Sequence, residues 1–91
     1  MRAVTEQIKT AFDNGQKKTV NNTWTDGQAV WLHGNKIVER RDDGVYFCMC
    51  GWGTPTTRER INGITGAGIY QKNHTQMRDG EDISTTDWIR I

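Results

Sequence analysis

The stretch from Trp31 to Asn62 constrains the fold more than any other part of the chain, because tight-turn signals separate its apolar runs. Gly34-Asn35 lies between VWLH and KIVER, and a leading glycine suits a two-residue hairpin turn. Asp42-Asp43-Gly44 lies between KIVERR and VYFCMC, where a three-residue loop with a left-handed glycine fits. The stretch therefore predicts three consecutive antiparallel strands.

These loops also predict which side chains share a face of the sheet. Leu32 is expected opposite Ile37, and Ile37 opposite Met49. Because side chains alternate along a strand, one face should gather Val30, Leu32, Ile37, Val45, Phe47 and Met49. The other face should gather Trp31, Val38, Tyr46, Cys48, Lys36 and Arg40. A two-residue loop at Asp43-Gly44 is the alternative, but it mixes Tyr46 and Cys48 into the apolar face, so the first register is preferred.

Two short helices are predicted on either side of these strands. The first has an apolar stripe at i, i+4, i+7 and i+8 and ends near Asn14-Gly15; the stripe consists of Val4, Ile8, Ala11 and Phe12. The second begins with Thr54 as N-cap and Pro55 as its first residue, although a capping box at Thr56 and Glu59 is an alternative. Its inward residues should be Ile61 and Ile64, with Gly63 and Gly66 ending it.

The remaining segments complete the expected fold. The polar run 19–24 is predicted to be one edge strand, residues 68–72 and 87–91 are predicted to be later strands, and Asp79-Gly80 is predicted to be a turn. The sequence thus predicts a single α+β domain over residues 1–91. Its antiparallel meander should have three or four strands, with one or two C-terminal strands and two short helices.

Composition excludes several classes of function. The net charge is +1 over 91 residues, which is too small to imitate DNA or to bind duplex by bulk charge. No apolar run approaches the roughly 20 residues that span a bilayer, and no export signal opens the chain. Cys48 and Cys50 are therefore expected to be reduced thiols in a cytoplasm, and no membrane partner is expected.

The motif Leu32-His33-Gly34-Asn35 is followed by a spaced set of glycine, tryptophan, threonine, arginine and asparagine residues. That set is Gly51-Trp52, Thr54, Thr56-Thr57, Arg60 and Asn62. The combined spacing resembles a family of small tailed-bacteriophage proteins with the pattern LHGN … GW-T-TT-R-N. The resemblance implies a phage origin and the cytoplasm of the host bacterium, and it implies no catalytic residue.

Two surfaces are candidate binding sites. The predicted face with Trp31, Tyr46, Lys36 and Arg40 combines aromatic rings with cations, which suits single-stranded nucleic acid or a protein partner. A covering helix would instead make Trp31 a core residue. The second candidate is the start of the second helix, where hydroxyls, free N–H groups and arginines suit a phosphate; it consists of Trp52, Thr56, Thr57, Arg58 and Arg60. Helix capping is the favoured structural alternative there.

The sequence offers little for catalysis or metal binding. No nucleophile, base and orienting group can be combined, so an enzyme is not expected and no cofactor is predicted. The Cys-x-Cys spacing is short for zinc, and His33 and His74 are far from it in sequence, so no metal is predicted. The expected function is that of a non-catalytic phage accessory protein that binds a host or phage protein. A single-stranded nucleic-acid-binding module is the alternative, and the edge strand offers a route to a homodimer.

Overall fold

The computed structural model describes residues 1–91 and confirms an α+β architecture. Its helices and strands, in chain order, are α1 (Ala3–Asp13), β1 (Lys18–Val20), β2 (Thr23–Thr25), β3 (Ala29–Leu32), β4 (Asn35–Arg41), β5 (Gly44–Phe47), α2 (Pro55–Thr65), β6 (Tyr70–Lys72), β7 (Thr75–Arg78), β8 (Glu81–Asp82) and β9 (Ile89–Arg90). Six strands form one antiparallel sheet in the order β1-β2-β3-β4-β5-β9, and β6-β7-β8 form a second. Neither helix has the length and apolar character needed to cross a membrane.

Helix α1 forms where the apolar stripe predicts it. Ile8, Ala11 and Phe12 are buried, together with Thr5 on the same side. The helix ends at Asn14, whose backbone N–H donates a hydrogen bond to the carbonyl of Thr10. The stripe packs against the first strands of the large sheet and against α2, as expected for an amphipathic surface helix.

Helix α2 begins as the first of the two capping predictions states. The Thr54 hydroxyl accepts a hydrogen bond of 3.2 Å from the backbone N–H of Thr57, and Pro55 is the first helical residue. The alternative capping box at Thr56 is wrong. The helix continues through Gly63 and ends at Gly66, whose left-handed φ of 73° suits glycine.

The first hairpin turns one residue earlier than predicted. Trp31 pairs with Lys36 and Leu32 with Asn35, so the turn is His33-Gly34 rather than Gly34-Asn35. Both turn residues have positive φ, 51° and 81°, which matches the type I′ geometry favoured by twisted strands. A histidine at the first position was not expected, because left-handed conformations favour glycine, asparagine and aspartate.

A β-bulge in β4 reverses the face of the sheet on which the residues after Ile37 lie. Val30 pairs with Val38, which leaves Ile37 as the extra residue of the bulge. The predicted pairing of Leu32 with Ile37 is therefore wrong. The second hairpin also differs, since Arg41 pairs with Gly44 across a two-residue turn at Asp42-Asp43. Neither loop considered for that turn is correct.

The bulge explains why the predicted core survives an incorrect register. Ile37 and Val38 are consecutive, yet both are buried, so Val38 joins the core instead of the outer face. Leu32, Phe47 and Met49 are buried as predicted. The full cluster consists of Ile8, Phe12, Val30, Leu32, Ile37, Val38, Phe47, Met49, Ile61, Ile64, Ala67 and Ile69. Val45 is only half-buried, and Cys48, expected on the outer face, is buried.

The ends of the large sheet differ in how well they were predicted. Residues 19–24 form a hairpin of β1 and β2 around Asn21-Asn22, so the prediction of one edge strand is wrong. A last strand closes the other edge of the sheet as predicted, but it is limited to Ile89–Arg90, and its pairing with β5 was not predicted. The Asp79-Gly80 turn is also confirmed and joins β7 to β8, two strands that the polar sequence did not indicate.

A buried polar network ties the two helices to the sheet. Arg60 is only 4% exposed, and its guanidinium donates to the hydroxyls of Thr5 and Thr23 at 3.0 Å each. It also contacts the Glu59 carboxylate at 2.5 Å, and that carboxylate accepts a further hydrogen bond from Thr5. Arg60, predicted as a binding residue, therefore lies inside the protein and connects α1, α2 and β2.

This network makes folding sensitive to acid through Glu59. Burial acts to raise the pKa of its carboxyl, but hydrogen bonds from Thr5, Arg60 and the backbone N–H of Arg2 outweigh burial and lower it. The stabilisation is fully present above the pKa of the unfolded chain and is lost as the pH falls through the lowered folded-state pKa. We expect Glu59→Gln to reduce the difference in unfolding free energy between about pH 7 and about pH 3, measured by urea denaturation.

Glu81→Gln is the matched control, because Glu81 lies exposed on β8. This control should keep the acid sensitivity of the unmodified chain. An equal acid sensitivity in the Glu59→Gln variant would contradict the assignment of this effect to Glu59.

Candidate binding surfaces

The outer face of the large sheet carries rings and charges, while the helices pack on the inner face, where Arg60 reaches Thr23. Cross-strand pairing places Trp24 beside Trp31 and Trp31 beside Lys36. Farther along, Glu39 pairs with Tyr46 and Tyr46 with Arg90. We call this surface the aromatic face, and it consists of Trp24, Trp31, Lys36, Glu39, Arg41, Tyr46, Trp88 and Arg90.

The two tryptophans of the aromatic face stack on each other. The ring centroids of Trp24 and Trp31 are 3.9 Å apart and their planes differ by 3°. On the neighbouring strand, the Lys36 ammonium lies 5.6 Å from the Trp31 ring centroid. Because β3 runs between β2 and β4, Trp31 has a neighbour on each side, and Trp24, at 38% exposure, is the more accessible ring.

One carboxylate, Glu39, pairs with two of the three cations of the face. Glu39 contacts the Lys36 ammonium at 3.3 Å and the Arg41 guanidinium at 2.8 Å. The hydrogen bond from Arg41 is the largest cause of the lowered pKa of Glu39, and it outweighs the opposing effect of burial. The face therefore carries both signs of charge, and two of its three cations are already paired with a carboxylate.

A second aromatic group surrounds Arg41. Its guanidinium lies 4.1 Å from the Tyr46 ring centroid and 5.4 Å from that of Trp88. The Tyr46 hydroxyl donates a hydrogen bond of 2.7 Å to Asp43, and this bond raises the pKa of Tyr46 and lowers that of Asp43. The rings and charges on the surface are thus held by one another rather than freely mobile.

Three of the four residues predicted for this face are present on it. Trp31, Lys36 and Tyr46 lie there, but Arg40 is on the opposite face because of the bulge at Ile37. The Arg40 guanidinium lies 4.1 Å from the ring centroid of Phe12. It donates to the carbonyls of Phe12 at 3.0 Å and Gly27 at 2.6 Å, so it secures the end of α1.

Several residues of the aromatic face were not predicted from the sequence. A single edge strand over residues 19–24 does not predict the pairing of Trp24 with Trp31. Arg41 takes the position expected for Arg40, and Trp88 approaches only because β9 pairs with β5. The two tryptophans Trp24 and Trp31 lie on either side of the turn at Asp26. This spacing was the signal in the sequence for a cross-strand aromatic pair.

The second surface is a cleft of about 380 Å³ between the His33-Gly34 turn, which joins β3 to β4, and the start of α2. Its lining residues are Leu32, His33, Asn35, Ile37, Met49, Trp52, Thr54, Thr56 and Thr57. Leu32, Ile37 and Met49 are buried and form an apolar floor. Trp52 stands at the rim and is 57% exposed. We call this the Trp52 cleft.

The threonines at the start of α2 are engaged in helix capping, the alternative favoured from the sequence. Thr54 and Thr57 bond to each other through their hydroxyls at 2.9 Å. The Arg58 guanidinium donates to the carbonyl of Gly53 and to the side-chain oxygens of Gln71 and Gln76, each at 3.1 Å. Arg58 and the buried Arg60 thus hold the fold together. Of the predicted set, Trp52, Thr56 and Thr57 line the cleft, and the backbone N–H of Thr57 donates to the capping Thr54.

The thiols are occupied in local hydrogen bonds. The Cys50 thiol donates to the carbonyl of Lys36 at 2.9 Å, and the Cys48 thiol donates to the carbonyl of Thr86 at 3.4 Å. Burial, assisted by the neighbouring Cys48, raises the pKa of Cys50 to about 11. A thiol with such a pKa is protonated at neutral pH and is a poor nucleophile. No three His, Cys, Asp or Glu side chains are grouped to hold a metal ion.

Comparison with known proteins identifies a phage family. A family model described as Kyanoviridae Gp96 protein matches residues 1–90, which is nearly the whole chain. No curated protein is significantly similar to the chain, and neither is any solved structure. The phage origin expected from the sequence is therefore confirmed.

Proposed function

Because the chain belongs to the Kyanoviridae Gp96 protein family of phages, we propose that it is a non-catalytic accessory protein that binds a host or phage protein. The observation that carries this proposal is the aromatic face, where Trp24, Trp31, Tyr46 and Trp88 remain partly exposed on a side of the sheet that no helix covers. Tryptophan, tyrosine and arginine are the residue types most often responsible for affinity at protein interfaces.

The arrangement of the rings favours a protein over a single-stranded nucleic acid. Bases stack on an open ring face, whereas Trp31 lies between Trp24 and Lys36. The two tryptophans therefore offer mainly their edges and one outer ring face. Ring edges and apolar surface suit the irregular packing of protein side chains better than successive stacked bases.

The charges of the face support the same choice. Cationic side chains bind a nucleic acid by neutralising its phosphates and releasing the counterions condensed on it. On this face, Lys36 and Arg41 are already paired with Glu39. A phosphate backbone would have to compete with this carboxylate and would be repelled by it. A protein partner can instead complement a face that carries both signs of charge.

The proposal does not include a homodimer. The large sheet has two edge strands. Strand β9 has only two residues, and β1 has only three and begins at Lys18, directly after Lys17. Short edge strands with lysines are typical of edges protected against pairing with another chain.

Capture from a nuclease-treated lysate of infected cells tests the proposal. The unmodified chain should retain one discrete protein, and Trp24→Ala should reduce its recovery at least about tenfold, because a central interface tryptophan commonly contributes more than 1 kcal/mol. Trp52→Ala is the matched control, since it removes an exposed tryptophan from a different surface. This control should retain the protein fully.

Titration with single-stranded DNA separates the two candidate ligands. We expect no saturable binding at physiological salt and no displacement of the captured protein. If the DNA instead bound, with about 1–3 kcal/mol lost in Trp24→Ala and a shallower salt dependence in Lys36→Met, the nucleic-acid alternative would replace the proposal.

A further inference from the structure

We propose that the Trp52 cleft is a second, separate binding site, and that its ligand is a neutral bicyclic heteroaromatic compound of the purine type. The inference does not depend on the proposed function of the aromatic face. It rests on the size of the cleft, on the ring that forms its wall, and on the free polar groups of its rim.

The size of the cleft sets the size of the ligand. An apolar cavity of about 150 Å³ holds benzene, and the Trp52 cleft has about 380 Å³. This volume accommodates two fused rings with a substituent and lies toward the lower end of the range of small-molecule sites. The cleft has room for only one side chain or base of a macromolecule, so its size matches a small molecule.

The wall and floor of the cleft favour a flat ring. The exposed Trp52 indole and the buried Met49 both line the cleft, and indole and thioether groups make favourable contacts with aromatic rings. The tryptophan backbone is fixed, because its N–H donates to the carbonyl of Met49 and its carbonyl accepts from Thr54, each at 2.8 Å. Cys50 and Gly51 precede it in left-handed conformations, with φ of 54° and 79°, which turn the chain out of β5 toward the rim.

The rim supplies hydrogen-bonding groups that the fold itself does not use. The side-chain amide of Asn35 and the hydroxyl of Thr56 line the cleft and make no hydrogen bond within the protein, whereas Thr54 and Thr57 bond to each other. An asparagine amide offers a donor and an acceptor side by side, which is the pattern that matches the N6 and N7 edge of adenine. A purine therefore satisfies the rim better than a hydrocarbon ring does.

The cleft selects against charge. None of its nine lining residues is aspartate, glutamate, lysine or arginine, and an ionised group placed against its apolar floor would lose hydration without gaining a partner. The nearby Arg58 and Arg60 are turned toward Gly53 and Thr23. The ring of the ligand is consequently the part that is recognised, and any phosphate would remain in solvent without a partner.

Adenosine is the probe for the test, with binding followed by calorimetry and by backbone amide shifts of Asn35 and Thr56. We expect saturable binding with a dissociation constant below about 1 mM. Trp52→Ala should weaken adenosine binding at least about tenfold through the lost ring contact. Trp24→Ala, which removes a comparable tryptophan on the aromatic face, should leave adenosine binding unchanged.

Two further measurements separate ring recognition from simple apolar binding. Asn35→Leu should weaken adenosine binding about tenfold through the lost hydrogen bonds but leave binding of indole, which has no purine edge, within about twofold. Cyclohexanol should bind more weakly than either. Equal binding of cyclohexanol, an unchanged affinity in Trp52→Ala, or the absence of shifts at Asn35 and Thr56 would each overturn the proposal.

Discussion

Replacing Arg60 with alanine is expected to lower the unfolding free energy by about 3 kcal/mol, because it removes one partner of a buried ion pair. The guanidinium is the only group that bonds to Thr5 on α1, Glu59 on α2 and Thr23 on β2 together. Without it, two buried hydroxyls lose a donor and the Glu59 carboxylate loses its counter-charge. Since the Glu59 side chain is 22% exposed, water relieves part of the loss, and the lower end of the usual range applies.

Arg60→Lys serves as the control for charge alone. Lysine keeps the positive charge but lacks the planar fork that reaches two hydroxyls at once, so its cost should lie between those of the unmodified chain and the alanine variant. Urea denaturation measures all three proteins. A cost below about 1 kcal/mol for Arg60→Ala would match an exposed ion pair and would contradict a buried structural role.

Replacing Phe47 with alanine is expected to cost about 3–5 kcal/mol, the range for removing a buried phenylalanine and leaving a cavity. Phe47 is fully buried in β5 and pairs with Val38 on one side and Ile89 on the other. Its ring therefore supports the centre of the large sheet and the strand that closes it. In a domain of this size such a loss is a large share of the total stability.

Tyr46→Ala is the matched control, because Tyr46 precedes Phe47 and lies on the aromatic face. Its removal should cost about 1 kcal/mol, as expected for a cross-strand surface contact. Similar costs for the two variants, measured by thermal and urea unfolding, would mean that the faces of β5 are assigned incorrectly.

The elements of the fold follow from the sequence better than the register does. Ile8 and Phe12 on α1, and the Thr54 cap of α2, depend on periodicity and local hydrogen bonding, which a sequence displays directly. The hairpin turns depend on which residues adopt positive φ, and nothing local distinguishes His33-Gly34 from Gly34-Asn35. The consecutive apolar residues Ile37 and Val38 were the signal for a bulge that buries both.

The residues of the aromatic face could be predicted only where side chains alternate regularly between the two faces of a strand. Trp31 and Tyr46 are on the predicted face because each lies on the correct side of its strand. Arg40 is not, because the bulge reverses alternation within β4. Arg60 turned inward to acceptors that are distant in sequence, Thr5 and Thr23, and long-range pairing of this kind is absent from local patterns.

Site-specific photocrosslinking from the aromatic face tests the central claim most directly. A benzophenone amino acid placed at Arg90, an exposed residue of the aromatic face that leaves the tryptophans intact, should yield one discrete protein adduct in infected cells. The same group at Tyr70, an aromatic residue of 42% exposure on the small sheet, should yield none. An Arg90 adduct that nuclease removes, or identical adducts from both positions, would contradict the claim that this face binds a specific protein.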